Sequence, residues 1–111
     1  MAIQVILSKV GPLPLMATFD APSDEPSYLE INGSVWSSAS NQLIGIAVQV
    51  DNKPVGTAAQ IFSNGPNTHR AVVPTYIPVQ LQQGTHKLVL TAANGQTISD
   101  YNDSYTVVLH Y

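Results

Sequence analysis

The chain is cut into short alternating runs, each closed by proline, glycine or asparagine, and nowhere do apolar residues recur at helical spacing. The clearest unit is Leu81-Gln82-Gln83-Gly84-Thr85-His86-Lys87-Leu88-Val89-Leu90, where a proline-marked extended segment meets an apolar strand through a glycine turn. Residues 28–36 alternate as clearly: Leu29, Ile31, Gly33 and Val35 stand opposite Tyr28, Glu30, Asn32, Ser34 and Trp36. Strands repeating at this interval without helices predict an all-β domain, an antiparallel β-sandwich of about eight strands that fits a jelly roll or an immunoglobulin-like sandwich; no pair of cysteines around a tryptophan favours the latter, and the expected type is the jelly roll. The 111 residues suffice for one core, so residues 1–111 are expected to form a single domain.

Finer expectations follow from the pattern. Ile3, Val5 and Leu7 share one face of a first strand, which Gly11-Pro12 ends because proline cannot continue a ladder. Residues 15–19 form a short second strand, and 20–26, with Pro22 and Pro26 among acids, form an exposed loop. In 43–50, Ile44, Ile46, Val48 and Val50 take one face; the small Gly45 and Ala47 on the other let a second backbone come close. Residues 51–53 make a tight turn, and 54–62 return as its hairpin partner. Residues 69–81 carry Pro74 and Pro78, so this strand should lie at an edge or be bent in two. The last strands, 85–92 and 104–111, flank a turn-prone linker that begins at Asn94-Gly95.

Composition narrows the function classes. Cysteine is absent, which removes thiolate catalysis, zinc–thiolate sites and disulfides. Only 10% of residues are charged, so Ser, Thr, Asn and Gln must build much of the surface, a composition suited to sugar hydroxyls and protein partners. The net charge is −3, and Lys9, Lys53, Arg70 and Lys87 are scattered, which argues against nucleic acid as a partner. No apolar stretch approaches membrane-spanning length, so no membrane insertion is expected. Residues 1–8 lack the pattern of a signal peptide, so the expected place of synthesis is the cytoplasm, with release as part of a larger particle left open.

Several strands are apolar on both faces. Tyr105, Val107, Leu109 and Tyr111 alternate with Thr106, Val108 and His110, and Leu88 and Leu90 flank Val89. This predicts either a contact between copies or a terminal strand in the middle of a sheet. The order Tyr28-Leu29-Glu30-Ile31-Asn32-Gly33-Ser34, then residues 46–56, then the 81–90 unit, closing on Tyr105-Thr106-Val107-Val108-Leu109-His110-Tyr111, resembles the tumour-necrosis-factor/C1q-like jelly rolls. The resemblance spans residues 28–111 and leaves the first 27 residues unmatched. It implies a homotrimer with the last strand at the trimer axis and a partner, a glycan or a cell-surface receptor, held by loops or subunit clefts. Bacterial members of this kind include sugar-binding lectins and tips of phage or injection-machine fibres.

The candidate binding residues are Trp36, His69, Arg70, Asp100, Tyr101 and Asp103. Trp36, the single tryptophan, ends a strand beside a polar loop and offers a platform for a sugar ring, or core packing. Arg70, the single arginine, suits bidentate recognition of a carboxylate on a ligand, or a structural pair with Glu30 or an aspartate. In Ser99-Asp100-Tyr101-Asn102-Asp103-Ser104, carboxylates, an amide and hydroxyls can accept bonds from a sugar stacked on Tyr101, or cap a turn. The same oxygens make calcium conceivable, although no cofactor is assigned, and no metal is assigned to His69, His86 or His110, whose spacing is not that of a zinc site. No phosphate loop, nucleophile elbow or HExxH motif occurs. The expected function is therefore a non-catalytic, trimeric, lectin-like carbohydrate-binding module. The alternatives are a structural trimerisation or capping domain of a fibre or particle, and, more remotely, a small hydrolase acting through carboxylates.

Overall fold

The computed structural model describes residues 2–111, which form ten strands and no helix. In chain order these are β1 (Ile3–Val10), β2 (Leu15–Ala21), β3 (Ser27–Val35), β4 (Gln42–Val50), β5 (Lys53–Pro54), β6 (Ala59–Ser63), β7 (Arg70–Ala71), β8 (Thr75–Val79), β9 (Gly84–Ala92) and β10 (Ser104–His110). Pairing is antiparallel throughout and nested: β1 with β10, β2 with β9, β3 with β7 and β8, β4 with β5 and β6. The first half of the chain thus lies against the second as one long folded ribbon, which is the jelly roll. Cross-pairs of β10 with β3 and of β9 with β4 close two sheets, one ordered β1-β10-β3-β7/β8 and the other β2-β9-β4-β5/β6.

The strands beyond the expected eight come from broken ones. Asp51 and Asn52 both have positive φ, 52° and 67°, the backbone of a two-residue hairpin turn whose twist suits its strands. The return strand then breaks at Gly56, which sits at φ 62° with Ile77 packed over it; a Cβ there would lie 2.6 Å from the Ile77 side chain. The segment with Pro74 and Pro78 is likewise bent in two, and both pieces pair with β3 at the sheet's edge, where missing amide donors cost least. At Gly45 the expected close approach is real: an added Cβ would meet the Ala59 carbonyl oxygen of β6 at 2.3 Å.

Between the sheets lie Leu29, Ile31, Val35, Ile44, Ile46, Leu88, Leu90, Tyr105, Val107 and Leu109, essentially without solvent contact. Burying each such side chain is worth about 1.5–3 kcal/mol, which makes the two inner faces the main source of stability. One sequence expectation changes here. Ile3, Val5 and Leu7 do not share a face, because a β-bulge between Val5 and Leu7 turns the first two outward and Leu7 into the core. The last strand lies in the middle of a sheet, as one of its two readings expects: β10 runs between β1 and β3 with Ser104, Thr106, Val108 and His110 on its outer side.

Candidate functional site

At one end of the sandwich three separate segments converge on a buried carboxylate. Trp36 follows β3 and is fixed by a two-way backbone pairing with Ile98 at 2.9 and 2.8 Å. His69 immediately precedes β7, and residues 100–103 form a turn before β10 in which the Asp103 amide donates to the Asp100 carbonyl at 3.0 Å. Asp100 Oδ1 tightens that turn by accepting the Asn102 amide at 2.8 Å. Asp103 is fully buried. Its Oδ1 accepts from the Ser34 hydroxyl and from His69 Nδ1, each at 2.7 Å, and its Oδ2 accepts the Asp100 amide at 2.9 Å. A buried carboxylate without partners would be very costly, and these three bonds are what make its burial tolerable.

The bond to Asp103 decides the state of His69. Nδ1 must carry the proton, which leaves Nε2 as the open atom, 3.8 Å from Asp100 Oδ2. The imidazole leans on the Trp36 indole with centroids 5.6 Å apart and planes at 42°. The hydrogen bond to Asp103, with the charges of Asp103 and Asp100, raises the His69 pKa above its ordinary 6.5 against the opposing effect of burial. The result is a ring held in one orientation, stacked on one face and open at one nitrogen.

The structure brings together four of the six candidate residues: Trp36, His69, Asp100 and Asp103. Tyr101 stands at the tip of the same turn, 79% exposed. Arg70 is adjacent in sequence but pairs with buried Val35, so its side chain leaves on the opposite side of the sheet from Ser34. It takes no part in the bonds that hold the cluster, and among the described residues it forms no ion pair with Glu30 or an aspartate. Ser34 was not anticipated. Its only signal was a place on the polar side of the 28–36 alternation, because its partner Asp103 lies far along the chain.

This geometry limits the available chemistry. Ser34, Asp103 and His69 are the residue types of a nucleophilic triad, but hydroxyl and imidazole both bond the same carboxylate oxygen, and nothing activates the serine through the histidine. His69, Asp100 and Asp103 place potential metal-ligand atoms within 4.8 Å of one another. Asp103 Oδ1 is saturated by Ser34 and His69 and Oδ2 accepts one bond, so a metal here would be held chiefly by His69 Nε2 and Asp100 Oδ2. Calcium takes six to eight oxygens, so the Asp100 carboxylate would need backbone carbonyls and waters beside it.

Comparison with known protein families finds no match, and neither does comparison with curated protein sequences. Among solved structures, the native structure of a family 35 carbohydrate binding module from Clostridium thermocellum is similar, with TM-score 0.50 and 11% identity. That likeness covers 96% of this chain and 90% of the other. The EclA C-terminal domain, described as a sugar-binding protein, aligns over 98% of this chain and 79% of its own with TM-score 0.49 and 9% identity. At such identities the likeness to the first bears on the fold, and it is that of a jelly-roll β-sandwich.

Proposed function

We propose that the chain is a non-catalytic carbohydrate-binding module whose ligand contacts His69, Asp100 and Tyr101 at the end of the sandwich. The observation that carries this reading is the fixing of His69 by buried Asp103 and by Trp36, with its Nε2 and the Asp100 carboxylate left side by side. Fixed donors and acceptors beside an exposed aromatic ring suit a hydroxyl-rich ligand with one apolar face, and preorganisation lowers the entropy cost of holding it. The sandwich fold shared with a carbohydrate binding module supports the reading by analogy. A glycan array with the wild-type chain and the variants Tyr101→Ala and His69→Ala tests it. The wild type should retain at least one glycan class, and each variant should weaken that binding by about tenfold, the loss of one stacking or charged contact. Absence of any retained glycan overturns the proposal.

A second reading, self-association as in a trimerisation or capping domain, is favoured by one specific observation. Ile3, Val5 and Val10 on the open edge strand β1 are 61%, 59% and 55% exposed. The two readings use different parts of the surface, and both can hold.

A further inference from the structure

The outer face of β3 runs directly into the His69 cluster. Its outward residues are Tyr28, Glu30, Asn32 and Ser34, and Ser34 is the one that bonds Asp103. At the rise of a strand this row is about 20 Å long, too long for a single sugar and suited to several in a line. Its far end is built as specifically as the near one. Glu30 Oε1 accepts from His110 Nε2 at 2.7 Å, and Oε2 accepts from Asn32 Nδ2 at 2.8 Å, so the carboxylate is fixed in place. Those bonds, that of His110 foremost, hold the Glu30 carboxyl below its ordinary pKa and thus ionised.

Aromatic rings flank this carboxylate. Tyr76 on β8 stands opposite Glu30 and tilts against His110, centroids 5.6 Å apart, while Tyr28 stands opposite His110 on the other side. Both tyrosines are about half exposed, 46% for Tyr28 and 56% for Tyr76. Apart from His110 and His69, which pair with its carboxylates, the face holds no basic side chain. Lys9 and Arg70 pair with the inward-facing Tyr105 and Val35, Lys9 reaches to the Met16 carbonyl on β2, and Lys53 and Lys87 belong to the other sheet. Carboxylates therefore stand toward both ends of the row, Glu30 next to Tyr28 and Asp100 beyond Ser34, with neutral Asn32 and Ser34 between them.

We infer that the ligand is a linear glycan bearing free amines, laid along β3 with pyranose faces on Tyr28 and Tyr76 and ammonium groups at Glu30 and Asp100. The inference rests on the carbohydrate reading of the His69 site and extends it in length and in charge. Aromatic faces next to a fixed carboxylate attract a cation through both ring quadrupole and charge. The flanking hydroxyl and amide groups match sugar hydroxyls, which a lysine-rich peptide would leave unused.

The test is calorimetric titration of the whole chain with a glucosamine tetramer, its fully N-acetylated counterpart, a neutral glucose tetramer and a lysine tetramer. The glucosamine tetramer should bind at least tenfold more tightly than the other three, and added salt should reduce that advantage. Glu30→Gln should remove most of the advantage, and Tyr76→Ala should weaken all sugar tetramers, with unchanged circular dichroism and melting confirming the fold. If Glu30→Gln loses the fold, Glu30→Asp, which keeps the charge but withdraws it, must weaken the glucosamine tetramer alone. Equal or tighter binding of the acetylated, neutral or lysine tetramer overturns the inference. Neutral or acetylated sugars that bind through His69 would leave the carbohydrate reading standing without it, whereas binding of no sugar removes both.

Discussion

At the scale of single residues the decisive one is Asp103. The sequence marks it as one oxygen ligand of a polar turn and marks Asp100 and Tyr101 equally, because short-range turn chemistry is written locally. What the sequence could not reveal is which of these residues is buried, since that depends on Ser34 and His69 arriving from elsewhere. Asp103→Ala leaves the Ser34 hydroxyl, the His69 ring and the Asp100 amide without their acceptor, and should cost about 3 kcal/mol of stability in urea unfolding. Asp103→Asn keeps the shape and removes the charge, and the His69 pKa read by proton NMR should then fall back toward 6.5. A variant that keeps the wild-type stability and an unchanged His69 titration would show that Asp103 does not organise this end of the molecule. The separation of Arg70 from the cluster has the same origin: its register against Val35, and so its side of the sheet, is a property of the pair.

At the scale of elements, the 81–90 unit holds a staple whose ends the pattern concealed. His86 Nδ1 faces Asp51 Oδ2 and His86 Nε2 faces the Gln82 carbonyl, both at 2.6 Å, so both ring nitrogens meet acceptors and the ring is at ease only when doubly protonated. This ties the β4–β5 turn to the loop before β9, and Asp51 adds a bond from the Lys87 amide at 3.0 Å. The Gln82 carbonyl first and Asp51 second raise the His86 pKa above 6.5, and His86 in turn holds Asp51 below its ordinary 3.8. A raised histidine stabilises the fold fully below its unfolded pKa and loses that contribution as pH climbs through the folded one; the lowered Asp51 loses its own as pH falls below about 3.8. The staple is therefore strongest between these limits. Between pH 6 and pH 9 the wild type should lose about 1 kcal/mol more stability than His86→Gln, a comparison that cancels the parallel contribution of His69. Equal losses in the two proteins would remove the staple. The β1 bulge teaches the same lesson, for one extra residue reverses the faces of Ile3 and Val5 while leaving the apolar pattern unchanged.

At the scale of the whole molecule, the class of fold was readable because alternation and turn residues act within a few positions, whereas the nesting of first strand on last, second on next-to-last, is set by long-range pairing. That nesting also decides what the terminal strand can do. With β1 and β3 on its flanks, β10 offers a partner only its outer face, so a threefold contact of the kind the resemblance implies would need neighbouring strands to contribute. The open edge of β1 is the part of that sheet best prepared for it. Ala2 and Tyr111 exchange both backbone bonds, at 2.7 and 2.9 Å, which fixes the phase of the ladder and points the amide groups of Ile3 and Val5 away from β10. Unlike β5 and β8 on the opposite edges, β1 contains no proline, and its first half exposes the apolar Ile3 and Val5, while Ser8 and Lys9 make the second half polar. If copies associate there, light scattering at high concentration should give a mass above the 11.9 kDa of one chain, three times that value for a trimer. Val5→Lys, an exposed change expected to alter stability by no more than about 0.5 kcal/mol, should return the single-chain mass and leave sugar binding at His69 intact. A wild type that stays at the single-chain mass would discard assembly through β1, and the binding site at the sandwich end would then have to act one copy at a time.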